Sequence, residues 1–233
     1  MYENLERLRA DHGGDIPISV ATAGDLGEAI TRSASHTGGR FAAVPFWVEG
    51  ADGKEAPGRR QCTREYKIAV VQKAVRTMLG LSPGQRAAGL YRVEEWIGIS
   101  TDEATRAKPA RYSWVTTRWP LLFDEPMSRA ACKGWMSARS YPIPGKSACI
   151  FCPYRKAIEY ARIREQDPGV FEEACRWDDL IRSKGTMKGI RGQQYVLRTL
   201  VPLRDLPPLE ALEKIPSEQL NLFENECEGM CGV

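Results

Sequence analysis

The sequence predicts an α/β fold with a mostly parallel sheet and a more helical distal third. Segments that read as short apolar strands alternate with segments of helical periodicity, which is the order typical of such folds. The 233 residues suffice for one sizeable core, or for a core with a small appended module. Hydrophobic residues make up 42% of the chain and charged residues 27%, which excludes fibrous and disordered classes.

Periodicity and the placement of glycine and proline define the elements of the first half of the chain. Each expected helix combines an apolar stripe with a stop signal, and each expected strand is a short apolar run between turn residues. In chain order we expect a helix over 3–11 closed by His12-Gly13-Gly14, a strand over Ile16–Val20, a helix over Leu26–Arg32, an apolar segment over Phe41–Val48, a loop over Ala51–Gly58 and a helix over Tyr66–Leu79.

In the second half, the best strand is Tyr91–Ile99, which we expect to lie between parallel strands with Trp96 or Ile97 buried. Further along we expect a strand over Trp114–Pro120, a helix over Ser128–Ala138, turns over Tyr141–Lys146, a helix from Pro153 to about 164, a helix from Asp167 to about 183 and a strand over Tyr195–Leu200. We divide the chain into an α/β core, 1–125, and a helical, cysteine-bearing part with an acidic tail, 126–233, although no sharp composition shift separates them.

Charge is distributed unevenly along the chain. The net charge is +3, but residues 205–233 carry seven acids and one base, so residues 1–204 hold an excess of nine positive charges. A basic body favours an anionic partner such as a nucleotide or nucleic acid, and a solvated surface with the acidic tail folded against it is the alternative. No apolar run reaches the roughly 20 residues that span a bilayer, and no signal-peptide pattern follows Met1. We therefore expect a cytoplasmic protein without a membrane partner.

A run of cations precedes the clearest helix. Residues 59–67 read Arg-Arg-Gln-Cys-Thr-Arg-Glu-Tyr-Lys. Backbone N–H groups at a helix start, together with flanking cations, suit a phosphate or sulfate group. We predict that this segment binds an anion through Arg59, Arg60, Arg64 and Lys67. The alternative is a solvated helix start with one buried cysteine.

Seven cysteines in a cytoplasmic chain indicate metal binding, redox chemistry or ordinary buried thiols. Cys149 and Cys152 form a C-x2-C pair, which places two thiolates on one turn, and Cys62 and Cys132 could complete four sulfur ligands for zinc or an iron–sulfur cluster. The alternative is four buried, reduced thiols. We expect Cys175 to lie in the core. A frayed tail, a second metal site and a redox pair all remain open for Cys227 and Cys231.

A third motif follows the best strand. Ser100 comes at its end, an acidic pair follows, and Arg106 and Lys108 come next. Ligand sites of open α/β sheets lie at the carboxyl ends of strands, so Ser100, Arg106 and Lys108 are candidate nucleotide contacts. The alternative is a capped helix start. His12 and His36 lie in expected loops without paired partners, which gives little support to histidine catalysis.

Together these segments resemble the phosphoadenylylsulfate (PAPS) reductase-like branch of the adenine-nucleotide alpha-hydrolase, or N-type ATP pyrophosphatase, superfamily. The resemblance covers the chain from about residue 2 to its end. It rests on the sequence at 59–67, on Trp-Ile-Gly-Ile-Ser at 96–100 with Asp102, Glu103 and Arg106, on Arg-Trp-Pro-Leu at 118–121 with Arg129 and Cys132, on the stretch 146–154, and on the ending Glu-Cys-Glu-Gly-Met-Cys-Gly-Val.

The resemblance implies a Rossmann-like parallel sheet that binds an adenine nucleotide such as ATP. It also implies sulfur-transfer relatives that hold an iron–sulfur cluster on similarly arranged cysteines, so we favour a 4Fe-4S cluster over zinc at the four cysteines. One departure concerns the Ser-Gly-Gly-x-x-Ser phosphate loop with which the superfamily opens, because this sequence lacks it. On that ground we expect a truncated nucleotide-binding core.

Two functions follow from these observations. The first is an adenine-nucleotide-dependent enzyme for sulfonucleotide reduction, or for ATP-dependent sulfur transfer or adenylation, with the cysteine centre beside the nucleotide. The second is a non-catalytic protein that binds nucleic acid or another partner through its basic surface and holds a structural zinc. The sequence does not identify a catalytic residue, the acceptor or the oligomeric state.

Overall fold

A computed structural model describes residues 2–32, 44–50, 53–144, 148–184 and 192–214, and these form a mixed α/β structure. The strands are β1 (Trp47–Glu49), β2 (Glu55–Pro57), β3 (Val93–Trp96), β4 (Val115–Arg118) and β5 (Gln194–Tyr195). The helices are α1 (Tyr2–His12), α2 (Leu26–Arg32), α3 (Ala69–Met78), α4 (Pro120–Phe123), α5 (Arg129–Ala138), α6 (Ala157–Gln166), α7 (Pro168–Lys184) and α8 (Leu209–Glu213). None of the helices in these ranges is both long and apolar enough to cross a membrane.

The chain forms two compact units. Within the described residues, the first unit takes 2–21 and 71–144 and the second takes the rest. In the first unit, β3 and β4 pair in parallel, with Val93 opposite Val115 and Glu95 opposite Thr117. Its core holds Trp114 and smaller apolar residues of the segments that flank the two strands.

The second unit is built on an antiparallel sheet in the order β2-β1-β5. Helices α6 and α7 pack on each other, and the buried cluster includes Phe46, Phe151, Tyr160 and Ile181. Asp178 lies within this core, where its carboxylate accepts hydrogen bonds from the N–H of Val196 (2.9 Å) and of Leu203 (3.0 Å). A single carboxylate of α7 therefore fastens two downstream segments.

Several elements match the sequence prediction, including α1, α2, α3, α5 and α7. The strand expected over Ile16–Val20 is wrong, because these residues form no strand and Ile16 is 65% exposed. The loop expected over 51–58 contains β2, which pairs with β1. The helix expected from Pro153 begins at Ala157, because residues 149–155 form two tight turns first. Of the segment Phe41–Val48, residues 41–43 lie outside the described residues.

The burial expected for Trp96 is also wrong. Strand β3 alternates, with Val93 and Glu95 half-buried on one face and Trp96 on the other, where it is 64% exposed. Ile97 is half-buried, and the fully buried residue of this segment is Ile99. Among the described residues β3 has one parallel neighbour, β4. The division at residue 125 stays a prediction.

Candidate functional site

The C-x2-C pair lies on a tight turn of the second unit. The N–H of Cys152 donates to the carbonyl oxygen of Cys149 at 3.1 Å, and the N–H of Arg155 donates to that of Cys152 at 3.0 Å. The hydroxyl of Tyr160, which is fully buried on α6, donates to the carbonyl oxygens of Ile150 (3.0 Å) and Cys152 (3.1 Å). One buried phenol therefore fixes two carbonyl groups of the turn.

That phenol keeps its proton. Burial, and to a lesser degree the neighbouring Cys152, raises the pKa of Tyr160 well above its ordinary value. The Tyr160 hydroxyl therefore stays protonated at neutral pH and serves as a hydrogen-bond donor to the turn.

Two consecutive residues of the β1 segment fasten the cysteine turn and the cationic run. The carbonyl oxygen of Phe46 accepts the N–H of Gly58 at 2.8 Å, directly before Arg59. The indole Nε1 of Trp47 donates to the carbonyl oxygen of Pro153 at 3.0 Å, directly after Cys152. Both side chains are buried. The backbone at 58 and the backbone at 153 are therefore both held by adjacent residues at the start of β1.

A cation–aromatic contact joins the same two segments. The guanidinium of Arg60 lies 4.9 Å from the centre of the Tyr154 ring, and its Nε donates to the hydroxyl of Thr63 at 3.1 Å. Cys62, two residues further, is half-buried and packs against the cluster that contains Phe151. The structure thus brings Cys62 into the neighbourhood of the C-x2-C turn.

The aromatic packing beneath the turn is tight. Trp177 of α7 lies 4.9 Å, centre to centre, from the ring of Phe151. The same ring lies close to Gly27 of α2, where a Cβ would come within 2.5 Å of it. Trp177 therefore leaves no space for a side chain at position 27.

The donor set fits a thiolate-bound metal chemically, since cysteine thiolates are the ligands that zinc and iron–sulfur clusters take, and here they lie on one tight turn and, for Cys62, at a helix start. Cys149 is exposed, and Cys62 and Cys152 are half-buried. In the part of the chain that the structure describes, no three Cys, His, Asp or Glu side chains form a group that could hold a metal ion. Cys132 lies half-buried on α5 of the first unit, so its membership in a four-cysteine centre stays a prediction. Cys227 and Cys231 lie outside the described residues.

The predicted anion-binding residues surround a π-helical turn. This turn, Arg64–Ile68, leads directly into α3, and such turns are frequent at functional sites. Arg59, Arg64 and Lys67 are exposed, whereas Arg60 is half-buried. Three of the four cations are thus accessible to an anion from solvent.

In the first unit, the motif after β3 forms a 3-10 turn, Thr101–Arg106. Ser100 is buried and occupies the N-cap position of this turn, but within the described residues its side chain makes no capping hydrogen bond. Arg106 pairs with Glu103 at 2.6 Å, and both side chains are about 15% exposed. The Nε of Arg106 is buried and finds no hydrogen-bond acceptor among the described residues. Lys108 is exposed.

Sequence reasoning missed the residues that hold the site together. Trp47 and Tyr160 carry no ligand chemistry, and the contact of Trp47 joins positions 106 residues apart. Local periodicity gives no signal for such a contact. Cys175, expected in the core, is buried there, and burial raises the pKa of its thiol to about 11.

Comparison with known proteins gives no match to this chain, whether to a protein-family model, a curated protein or a solved structure.

Proposed function

We propose that the chain is an adenine-nucleotide-dependent enzyme of the PAPS reductase-like kind, acting in sulfonucleotide reduction or in ATP-dependent sulfur transfer or adenylation. The observation that supports this proposal is the pair Phe46 and Trp47, which holds the cationic run and the C-x2-C turn side by side. An anion-binding segment next to a C-x2-C turn is the arrangement that chemistry on a sulfated or phosphorylated nucleotide needs.

In this proposal the cations have separate tasks. Arg59, Arg64 and Lys67 bind the anionic groups of the nucleotide, while Arg60 is fixed by Tyr154 and Thr63 and orients the segment. In the first unit, Ser100, Arg106 and Lys108 are further nucleotide contacts at the carboxyl end of β3, as in a Rossmann-like parallel sheet.

The proposed ligands of the metal centre are Cys62, Cys132, Cys149 and Cys152, with a 4Fe-4S cluster favoured over zinc. A cluster would supply electron transfer or a binding site for sulfur. The chain's own part is to hold the thiols in place, through Tyr160 and Trp47, and to exclude water from the inner face of the turn with Phe151.

Anaerobic purification followed by iron, zinc and sulfide analysis tests this centre. The wild type should carry metal, and the double variant Cys149→Ser/Cys152→Ser should lose it. Cys175→Ser is the matched control, because that thiol lies in the core and has a pKa of about 11, so it should retain the metal content. Wild-type protein without iron or zinc would overturn the centre, and iron without acid-labile sulfide would overturn the cluster.

A second candidate function, binding of nucleic acid with a structural zinc at the cysteines, is favoured by the surface of α5. No acidic residue occurs between Pro126 and Ile158. Trp135 is 46% exposed with the guanidinium of Arg139 at 4.0 Å from its ring centre, and the Tyr141 ring lies nearly parallel to it at 6.2 Å. Cations interleaved with exposed aromatic rings suit single-stranded nucleic acid.

A further inference from the structure

A cavity of the first unit lies at the opposite end of the parallel pair from Ser100. It has a volume of about 280 Å³ and is lined by Gln72, Arg76, Gly84, Gln85, Tyr112 and Trp114. Trp114 directly precedes β4, so the cavity lies at the amino end of that strand, whereas Ser100 follows the carboxyl end of β3. The proposed nucleotide contacts do not include any of these residues.

A hydrogen-bonded turn forms one wall of the cavity. Pro83 and Gly84 occupy the two central positions of a type II turn, with Gly84 at a φ of +79°. The N–H of Gln85 donates to the carbonyl oxygen of Ser82 at 3.1 Å, and the N–H of Ser82 donates to Oε1 of Gln85 at 2.9 Å. These reciprocal bonds fix the Gln85 amide, so that its NH₂ group is the end left for a ligand.

The guanidinium of Arg76 closes this turn. One of its terminal nitrogens donates to the carbonyl oxygens of Gln85 (2.6 Å) and Ser82 (3.3 Å). Carbonyl oxygens accept hydrogen bonds without neutralising a cation. Among the described residues no carboxylate pairs with Arg76. The cavity therefore carries a net positive charge.

The remaining polar group of the wall is also a donor. Oε1 of Gln72 accepts the hydroxyl of Tyr112 at 3.3 Å, which leaves its NH₂ group. The two side-chain amide oxygens, of Gln72 and Gln85, are thus occupied from within the protein, and the N–H groups of Gln72, Arg76 and Gln85 remain as donors to a ligand. Donors around a cation select an anion such as a carboxylate or a phosphate.

Aromatic rings form the rest of the wall. The centres of the Tyr112 and Trp114 rings lie 6.0 Å apart, and the rings are inclined by 38°. At ~30 Å³ per water, the volume corresponds to about nine waters, which is room for a single ring with one charged substituent. We propose that this cavity binds a small aromatic anion, namely a ring that bears a carboxylate or a phosphate group.

The test uses ligand-observed saturation-transfer NMR and titration with benzoate and phenyl phosphate, with neutral benzamide as the uncharged analogue. The variant Gln72→Glu keeps the acceptor for the Tyr112 hydroxyl and replaces an N–H donor by a negative charge. Its matched control is Gln193→Glu in the second unit, because Gln193 likewise accepts the hydroxyl of a tyrosine, Tyr195, at 2.9 Å, outside the cavity. Circular dichroism and thermal midpoints establish that both variants are folded.

At least one of the two anions should bind wild type, with benzamide at least fivefold weaker. Gln72→Glu should weaken the bound anion at least fivefold, and Gln193→Glu should leave it unchanged. Preference for benzoate or for phenyl phosphate identifies the anionic group. Binding of neither anion, equal binding of benzamide, or an unchanged dissociation constant in folded Gln72→Glu would each overturn the proposal. If Gln72→Glu is unfolded, Gln85→Glu takes its place, since its Oε1 keeps the bond from Ser82.

Discussion

The indole nitrogen of Trp47 donates a hydrogen bond of 3.0 Å to the carbonyl oxygen of Pro153, and both residues are buried. Phe46, the residue before it, accepts the N–H of Gly58. The carbonyl group of a proline after the C-x2-C turn and the N–H group of a glycine before the cationic run are therefore held by two adjacent residues at the start of β1, and the site depends on them.

Replacing Trp47 by Phe should destabilise the second unit and loosen the turn. The change keeps most of the ring but removes the N–H, so that a buried carbonyl oxygen loses its partner at a cost of about 1–3 kcal/mol. The measurement is the free energy of unfolding from urea titration, together with the metal content of anaerobically purified protein. Trp96→Phe is the control. The Trp96 ring is exposed, so the same change there should alter the free energy of unfolding by less than about 0.5 kcal/mol. Equal stability of the two variants would contradict the role given to Trp47.

Replacing Arg60 and Arg64 together by Ala should weaken the binding of an adenine nucleotide or its sulfated form. The variant loses the charge-assisted contact of Arg64, worth about 1.5–3 kcal/mol, and the Arg60 side chain that orients the segment, so the dissociation constant should rise about tenfold or more. Isothermal titration calorimetry with ATP and with adenylyl sulfate measures the change. The control Arg32→Ala/Arg162→Ala removes two exposed arginines whose partners, Glu28 and Glu213, lie elsewhere in the second unit. An affinity that falls equally in both double variants would show that only the overall charge matters.

Replacing Asp178 by Asn should destabilise the second unit, and the cost should depend on pH. The amide has one acceptor oxygen for two backbone N–H donors, so at least one buried bond is lost at about 1–3 kcal/mol, and the ion pair with Arg182 at 3.0 Å is lost as well. In the wild type, burial raises the pKa of the Asp178 carboxyl above its ordinary value of 3.8, and the hydrogen bonds from Val196 and Leu203 and the charge of Arg182 oppose this only in part.

The sign of the pH dependence follows from proton linkage. Between pH 3.8 and the raised pKa, the folded state binds more protons than the unfolded state, so the contribution of Asp178 to stability falls as pH rises through that window. Unfolding free energies of both proteins from pH 3.5 to 7 should therefore show the wild-type advantage shrinking with pH. An advantage that grows with pH would mean that the hydrogen bonds outweigh burial.

Replacing Trp135 by Ala should weaken the binding of a single-stranded oligonucleotide if α5 is a nucleic-acid surface. Stacking on an aromatic side chain is worth about 1–3 kcal/mol per base, so the dissociation constant should rise about fivefold or more. Arg139→Ala should lower the salt dependence of binding by about one unit of slope. Fluorescence anisotropy with a labelled oligonucleotide at several salt concentrations measures both effects.

Trp96→Ala is the matched control for Trp135→Ala. Trp96 is also exposed and also lies beneath an arginine, Arg118, at 5.7 Å. Arg118, however, is flanked by the carboxylates of Glu94 (3.8 Å) and Asp124 (3.2 Å), which repel a phosphate backbone. Trp96→Ala should leave binding unchanged. Equal losses of oligonucleotide affinity in Trp135→Ala and Trp96→Ala would contradict the second candidate function. So would a chain that binds an acidic protein but does not bind the oligonucleotide.

Periodicity and capping residues in the sequence predicted helices whose formation depends on residues close together in the chain. Helix α2 matches the expected residues, and α5 begins after Ser128, whose hydroxyl accepts the N–H of Ala131 as an N-cap should. The pairing of β1 with β5 was beyond prediction, because it joins Trp47 to Tyr195 across most of the chain. The prediction that Trp96 is buried is wrong because side chains alternate between the two faces of β3, and Trp96 lies on the face opposite Val93 and Glu95. In the site, residue types and spacing named the cysteines and cations, whereas the contacts that hold them come from Trp47 and Tyr160, for which the sequence has no local signal.

Gly27 gives position 27 of the chain a distinctive mutational profile. A glycine within a helix costs about 1 kcal/mol relative to alanine, so a helix of this kind is ordinarily improved by Gly→Ala. Here the added methyl would enter the Trp177 ring, which in turn abuts Phe151 beneath the cysteine turn. In a saturation-mutagenesis library selected for folded protein, position 27 should accept glycine alone, although its backbone lies in an ordinary helix. Intolerance of alanine at this position would then report the fit between two helices, and not a need for backbone freedom.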